Sequence, residues 1–202
     1  TDEIITQIIE TIENEDNMSN NPSTLISPIQ TIAQQRVLVL DGAMGTMIQR
    51  YALDEEAFRG TLLAGHPMQL KGNNDLLVLT RPDVIREIHS KYLAAGADII
   101  ETCTFNANAI SQSEYGCAHL CADINRRAAE LAREVADSFS TADKPRFVAG
   151  SVGPTGRTCS MSPDVENPAL RNVTFDMLVD AYKEQMTSLI GGGVDALLCE
   201  TI

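Results

Sequence analysis

The chain has 202 residues, 44% of them hydrophobic, enough for one sizeable core in one domain. A formal net charge of -13 argues against nucleic acid or anionic membrane as the main partner, because both would repel it. Five cysteines, an odd count at scattered spacings, do not make the framework of a disulfide-stapled secreted domain.

Residues 1–35 read as an extension and linker before a domain spanning 36–202. Ile4, Ile5, Ile8, Ile9 and Ile12 recur at helical spacing, and the stretch ENEDNMSNNPSTLISP after them has linker composition. The acidic N-terminus lacks the basic region of a secretory signal. No apolar stretch approaches the ~20 residues of a membrane span. The expectation is a cytoplasmic chain with no membrane partner.

From Arg36 onward strands and helices alternate. Strands are predicted over 37–40, 97–105, 146–152 and 194–201, each a near-continuous apolar run of the kind buried on both faces of a sheet. A helix is predicted over 82–95, with Val84, Ile88 and Tyr92 on one face beside Ile85 and Leu93. It opens on Pro82 and Asp83 and stops at Gly96. A second helix, over 118–139, carries Leu120, Ile124, Leu131 and Val135. A third, over 175–190, carries Leu178, Tyr182, Met186 and Leu189 between an N-cap at Thr174 and Gly191-Gly192-Gly193. The phrases AAGADIIET and GGGVDALLCET echo one another and put Glu101 and Glu200 in matching places. Repeated units of this kind imply a parallel sheet with right-handed crossovers. A doubly wound sheet and a (β/α)8 barrel both fit, but no G-x-G-x-x-G or P-loop follows the first strand. Polar residues at every strand end, Asp41, Glu101, Thr102, Thr104, Ser151, Glu200 and Thr201, favour the barrel. Four strands amount to its first half, incomplete at the C-terminus.

The run VLVLDGAMGTMIQRY delivers a carboxylate, Asp41, and a permissive backbone, Gly42 and Ala43, to the end of the first strand. Asp-Gly after an apolar run is often only a turn, although AMGTMIQRY is no second hairpin strand. Glu200 follows the apolar run of the fourth strand and needs a partner there. Glu101, Thr102, Thr104, Phe105 and Asn106 form a second tier that either lines a pocket or satisfies loop backbone. Gly153-Pro154-Thr155-Gly156 reads as a tight turn at the mouth. Cys117-Ala-His119-Leu-Cys121 has clip-like spacing without a second ligand pair, and the segment is read as a helix start. His66, His89 and His119 are given no catalytic role. The strand segments contain no lysine, so an aldolase-type barrel has no support.

The segments LDGAMGTMIQRY, LKGNNDLLVLTRPDVIREIHSKYLAAGADIIETCTFNAN and VAGSVGPTGRTCSMSPDVENPALRNVTFDMLVDAYKEQ resemble the N-terminal homocysteine-binding module of cobalamin-dependent methionine synthases, from about Arg36 to Ile202. The resemblance implies a barrel that moves a methyl group from methylcobalamin to the zinc-activated thiol of homocysteine, giving methionine. It implies that Asp41 and Glu200 bind the substrate ammonium. Gly42 and Ala43 let the backbone approach the ligand and offer N–H groups to its carboxylate. The family's zinc is held by three cysteine thiolates, one on a later strand and two adjacent near the barrel's end, so metal ligands are expected beyond Ile202 and no catalytic residue within the chain. Cys103 and Cys199 do not stand at ligand positions and are expected to be small buried hydrophobes, with Cys159 in a loop. The cobalamin-binding module of the longer protein is the implied partner. Betaine and S-methylmethionine homocysteine methyltransferases share the barrel and its Asp-Gly start, while LKGNNDLLVLTRP and SPDVENPALRNVTFD favour the cobalamin branch. The alternative to an enzyme is a non-catalytic fragment, a half-barrel that works only with its complement.

Overall fold

The computed structural model describes residues 27–159, 162, 164, 166–167 and 169–201. The helix predicted within 4–12 and most of the predicted linker lie outside them. Ser27 opens a short helix, α1 (Pro28–Ala33), through a reciprocal capping box with Gln30. Three short helices follow: α2 (Met44–Gln49), α3 (Glu55–Arg59) and α4 (Leu77–Thr80). The alternating part then runs α5 (Pro82–Ala95), β1 (Ile99–Glu101), α6 (Ala109–Ser113), α7 (Cys121–Phe139), β2 (Phe147–Val152), α8 (Phe175–Gly191) and β3 (Ala196–Cys199).

The long helices start and stop where local chemistry dictates. α5 begins on Pro82 with Asp83 in its first turn and ends at Gly96, whose φ of 113° is a left-handed conformation that favours glycine. α8 is capped by the Thr174 hydroxyl, which accepts from the Met177 amide at 3.2 Å. The predicted 118–139 helix is tighter at first, a 3-10 turn over Ala118–Leu120 that becomes α-helical at Cys121. α5, α7 and α8 pack side by side against the sheet. Their apolar stripes are buried: Val84, Ile85 and Ile88 on α5, Ile124 and Leu131 on α7, Leu178, Met186 and Leu189 on α8. Phe58, Leu70, Leu76 and Leu77 cover α5 and α7 from the N-terminal side. Each such fully buried side chain contributes roughly 1.5–3 kcal/mol of transfer free energy.

The sheet is parallel, open and ordered β1-β2-β3, with Ile99 opposite Phe147 and Ala149 opposite Ala196. The first predicted strand does not form as a buried strand. Residues 37–40 form no ladder of their own: Leu40 makes an isolated parallel bridge to Ile99, and the Val39 carbonyl accepts the Asp98 and Ile99 amides at 2.7 and 3.1 Å. They are not buried: Val37 is 85% exposed and Val39 53%. Among the described residues nothing pairs with their outer side, so the apolar run has one neighbour instead of two. The other three predicted strands form, shortened at their ends.

The sequence echo has a structural counterpart at the strand starts. Asp98 donates its amide to the Val39 carbonyl at 2.7 Å and accepts the Val39 amide on its carboxylate at 2.9 Å. Arg36 closes on the same carboxylate through two 2.8 Å bonds. Asp195 repeats the pattern on Val148, donating at 2.8 Å and accepting at 2.7 Å, with Arg133 as its arginine at 2.7 Å. Each aspartate thus clasps one residue of the preceding strand.

Candidate functional site

The carboxyl ends of the parallel strands open into a cavity of about 580 Å³. Every residue singled out for the site lines it: Asp41, Gly42, Ala43, Glu101, Thr102, Thr104, Asn106 and Glu200. Among the described residues, no lysine, arginine or histidine does.

Asp41 is placed by the bridge that carries residues 37–40. Its amide donates to the Ile99 carbonyl at 2.9 Å, and its carboxylate accepts the Glu101 amide at 3.1 and 3.2 Å. Burial pushes its pKa up to about 7 against that hydrogen bond, with the charges of Glu101 and Glu200 adding to the rise. Glu200 follows β3 and is held by its own amide on the Val152 carbonyl at 3.0 Å. Its Oε1 accepts the Ser151 hydroxyl at 2.6 Å. Burial, with the Glu200 charge adding to it, raises the pKa of Glu101, at the end of β1, to about 7. Gly42 and Ala43 are exposed at the mouth, where the Tyr92 hydroxyl donates to the Ala43 carbonyl at 3.4 Å.

The second tier divides. Thr102 and Thr104 are buried, with their hydroxyls 2.6 Å apart. Thr104 donates to the Ser151 carbonyl at 2.7 Å, and Thr102 accepts the Ser151 amide at 3.0 Å. These hydroxyls therefore stitch β1 to β2, as the loop-satisfying alternative required. Asn106 is exposed to the cavity and held on three sides. Its amide donates to Asp75 Oδ2 at 2.9 Å, its carbonyl accepts from Gln112 at 3.3 Å, and its side chain donates to the Pro154 carbonyl at 3.2 Å. The Gly153–Gly156 segment is fastened to the loop after β1: the Gly153 amide donates to the Phe105 carbonyl at 3.0 Å, and Gly156 lines the cavity. A Cβ on Gly153 would lie 2.5 Å from that carbonyl oxygen.

Asp75, Asn73 and Gln112 also line the cavity, and the sequence reading missed them. Asn73 and Gln112 exchange amide hydrogen bonds at 2.7 and 3.0 Å while fully buried. Asp75 is 6% exposed, and burial, opposed by the Asn106 amide, raises its carboxyl to about 7. The signal available was the polar triplet Asn73-Asn74-Asp75 directly before the apolar LLVL, where a carboxylate entering a core needs a partner.

Of the cysteines and histidines, only Cys103 lines the acid-lined cavity among the described residues. Cys103 is buried, and its thiol donates to the Asn74 carbonyl at 3.5 Å. Cys199, expected to be buried, is exposed at the end of β3, an edge strand with one described neighbour; Cys159 is exposed in a loop. Cys117 and Cys121 are buried, whereas His119 between them is exposed. His89 is fully buried, and neither ring nitrogen has a partner among the described residues. Among the described residues, no group of three or more His, Cys, Asp or Glu side chains is placed to hold a metal ion. None of the described helices is long and apolar enough to cross a membrane.

A parallel sheet whose strands all end on one acid-lined cavity defines an α/β chain of the class that assembles its chemistry at strand ends. The chain belongs to the homocysteine S-methyltransferase family, whose profile matches residues 38–202. Solved structures of the homocysteine methyltransferase MmuM from Escherichia coli are similar at 22% identity. The metallated form superposes with a TM-score of 0.64 over 87% of this chain, and the oxidized form with 0.65 over 91%. In both cases the match spans 57% of the MmuM chain. These likenesses speak to the fold.

Proposed function

We propose that residues 36–202 are the amino-acid-binding part of a homocysteine S-methyltransferase of the methionine synthase type, built as the first half of a (β/α)8 barrel. The observation that carries the reading is the meeting of Asp41, Glu101 and Glu200, from three separate chain segments, at one cavity lined by no cation among the described residues. Such a set suits the ammonium of an amino acid. Asp41 and Glu200 accept its N–H groups, and the backbone at Gly42 and Ala43 takes its carboxylate. A charge-assisted hydrogen bond of this kind is worth roughly 1.5–3 kcal/mol.

The described residues do not themselves form a zinc site: Cys103 lines the cavity but is buried with its thiol donating to the Asn74 carbonyl, and Cys199 does not line it. In this reading the zinc-binding cysteines lie beyond Ile202, and methylcobalamin is held by a separate module in the cytoplasmic full-length protein. This chain's own share is to bind and orient homocysteine. A second reading, a methyltransferase using betaine or S-methylmethionine, draws support from the same lining, because both donors are cationic.

The test is homocysteine binding by calorimetry, with methyl transfer from methylcobalamin, betaine and S-methylmethionine assayed in turn. Asp41→Asn and Glu200→Gln should each weaken homocysteine binding by roughly 10–100-fold and leave metal content unchanged. Wild-type affinity in both variants would refute the ammonium grip. Turnover with betaine or S-methylmethionine and none with methylcobalamin would favour the second reading.

A further inference from the structure

We propose that Tyr92 is a positioning residue for the substrate carboxylate: its phenol clamps the Gly42-Ala43 turn, so that the backbone amides there face the ligand in one fixed arrangement. The inference rests on the homocysteine reading and deepens it by naming what holds the backbone that takes the carboxylate.

The turn cannot hold itself. Gly42 and Ala43 follow Asp41 and are both exposed, and glycine restrains the backbone least of any residue. Ala43 stands at the cap position before α2, where it makes no side-chain bond to the first amides of the helix. Both residues line the cavity, and among the described residues their amides donate to no acceptor. Free amides on a loose turn grip an anion poorly, because the cost of ordering them is subtracted from the binding they give.

Tyr92 supplies the restraint from a different element. It lies near the C-terminal end of α5, and its ring packs against the buried cluster of Ile85 and Ile88 and against that of Ile100 and Val148. A ring wedged between two clusters holds its hydroxyl in place. That hydroxyl donates to the Ala43 carbonyl at 3.4 Å, and the same carbonyl accepts the Met47 amide at 3.3 Å. It is thus held from α5 and from α2 at once. A Cβ on Gly42 would already touch the phenol, at 3.4 Å from its oxygen and 3.5 Å from the ring, so one side chain flanks both residues of the turn. Because each peptide unit is planar, anchoring the Ala43 carbonyl and flanking Gly42 leaves the unit between them little freedom to flip. Tyr92 does not line the cavity, so it acts through the turn and not on the ligand.

The experiment measures binding by calorimetry at neutral pH for wild type and Tyr92→Phe. The ligands are homocysteine and 3-aminopropane-1-thiol, which keeps the thiol and the ammonium and lacks the carboxylate. Phenylalanine retains the ring and its packing and removes only the donor. Homocysteine should bind Tyr92→Phe about 3–10-fold more weakly than wild type, the effect of one hydrogen bond, and the analogue should bind both proteins alike. The ammonium grip and the thiol are common to the two ligands and drop out of the comparison. Equal losses for both ligands would show Tyr92 acting on the fold at large and would overturn the proposal. A wild-type preference for homocysteine that Tyr92→Phe leaves intact would overturn it too, with the substrate reading still standing. A wild type that binds the analogue as tightly as homocysteine would instead sink the carboxylate role of Gly42 and Ala43, and the clamp with it.

Discussion

Replacing Asp75 with asparagine should make the protein more stable at pH 8 and leave it nearly unchanged at pH 4. Asp75 is 6% exposed, and among the described residues its carboxylate has no cationic partner and a single hydrogen bond, accepted from the Asn106 amide at 2.9 Å. Burial raises its carboxyl from 3.8 to about 7. The folded state therefore binds the proton more tightly than the unfolded chain does. The stability this contributes is fully present below the unfolded pKa and disappears as pH climbs from about 4 to about 7. A gap of about three pH units corresponds to about 4 kcal/mol. The asparagine carbonyl can still accept the Asn106 amide and has no charge to desolvate. Asp41 and Glu101, also raised, lose stability over the same window in both proteins. His89, which burial lowers to about 4, gains stability as pH rises there in both. These contributions cancel in the difference. Urea unfolding at half-unit steps from pH 4 to 8 measures it. The Asp75→Asn curve should separate upward from wild type above pH 5 and level off near pH 8. Two parallel curves would show that Asp75 is ionised in the folded protein at little cost, and the argument from burial would fail.

Two further outcomes follow from close contacts. Gly153→Ala places a methyl 2.5 Å from the Phe105 carbonyl oxygen, a backbone atom that no rotamer change can move, so the loops after β1 and β2 must part. A loss of at least ~1–3 kcal/mol in urea unfolding is expected, and an unchanged midpoint would contradict the packing described. Asp98→Asn removes the Arg36 ion pair that holds this carboxyl at about 2. A depressed carboxyl stabilises above its unfolded pKa and loses that contribution as pH falls toward 2. The variant should therefore melt at lower temperature than wild type at pH 7, with the gap closing near pH 2.

How much of this was legible in the sequence depended on whether the deciding partner was near in the chain. α5 and α8 carry their own start and stop signals, Pro82 with Gly96 and Thr174 before Phe175, and their buried stripes follow from spacing alone. The acids at the strand ends were legible because a carboxylate closing an apolar run has few bland explanations. The state of residues 37–40 was not, because burial of that run depends on whatever lies on its outer side. Asp75 and Gln112 escaped for the opposite reason. Their roles arise from a loop-to-loop meeting at Asn106, some thirty residues from Asp75, that no periodicity records. The short helices between residues 44 and 80 are too brief for a 3.6-residue pattern to stand out. Cys199 shows the limit of reading burial from hydrophobicity at an edge strand.

The clasps at Asp98 and Asp195 bear on how such a sheet is assembled. Ahead of β1 and of β3, though not of β2, stands a latch that grips a single backbone position on the neighbouring strand, so the alignment of these two strands is fixed at one end independently of the ladder that follows. A slip of one residue would leave the aspartate and its arginine facing no amide. The two aspartates thereby act as register keys at the end of the sheet opposite the cavity.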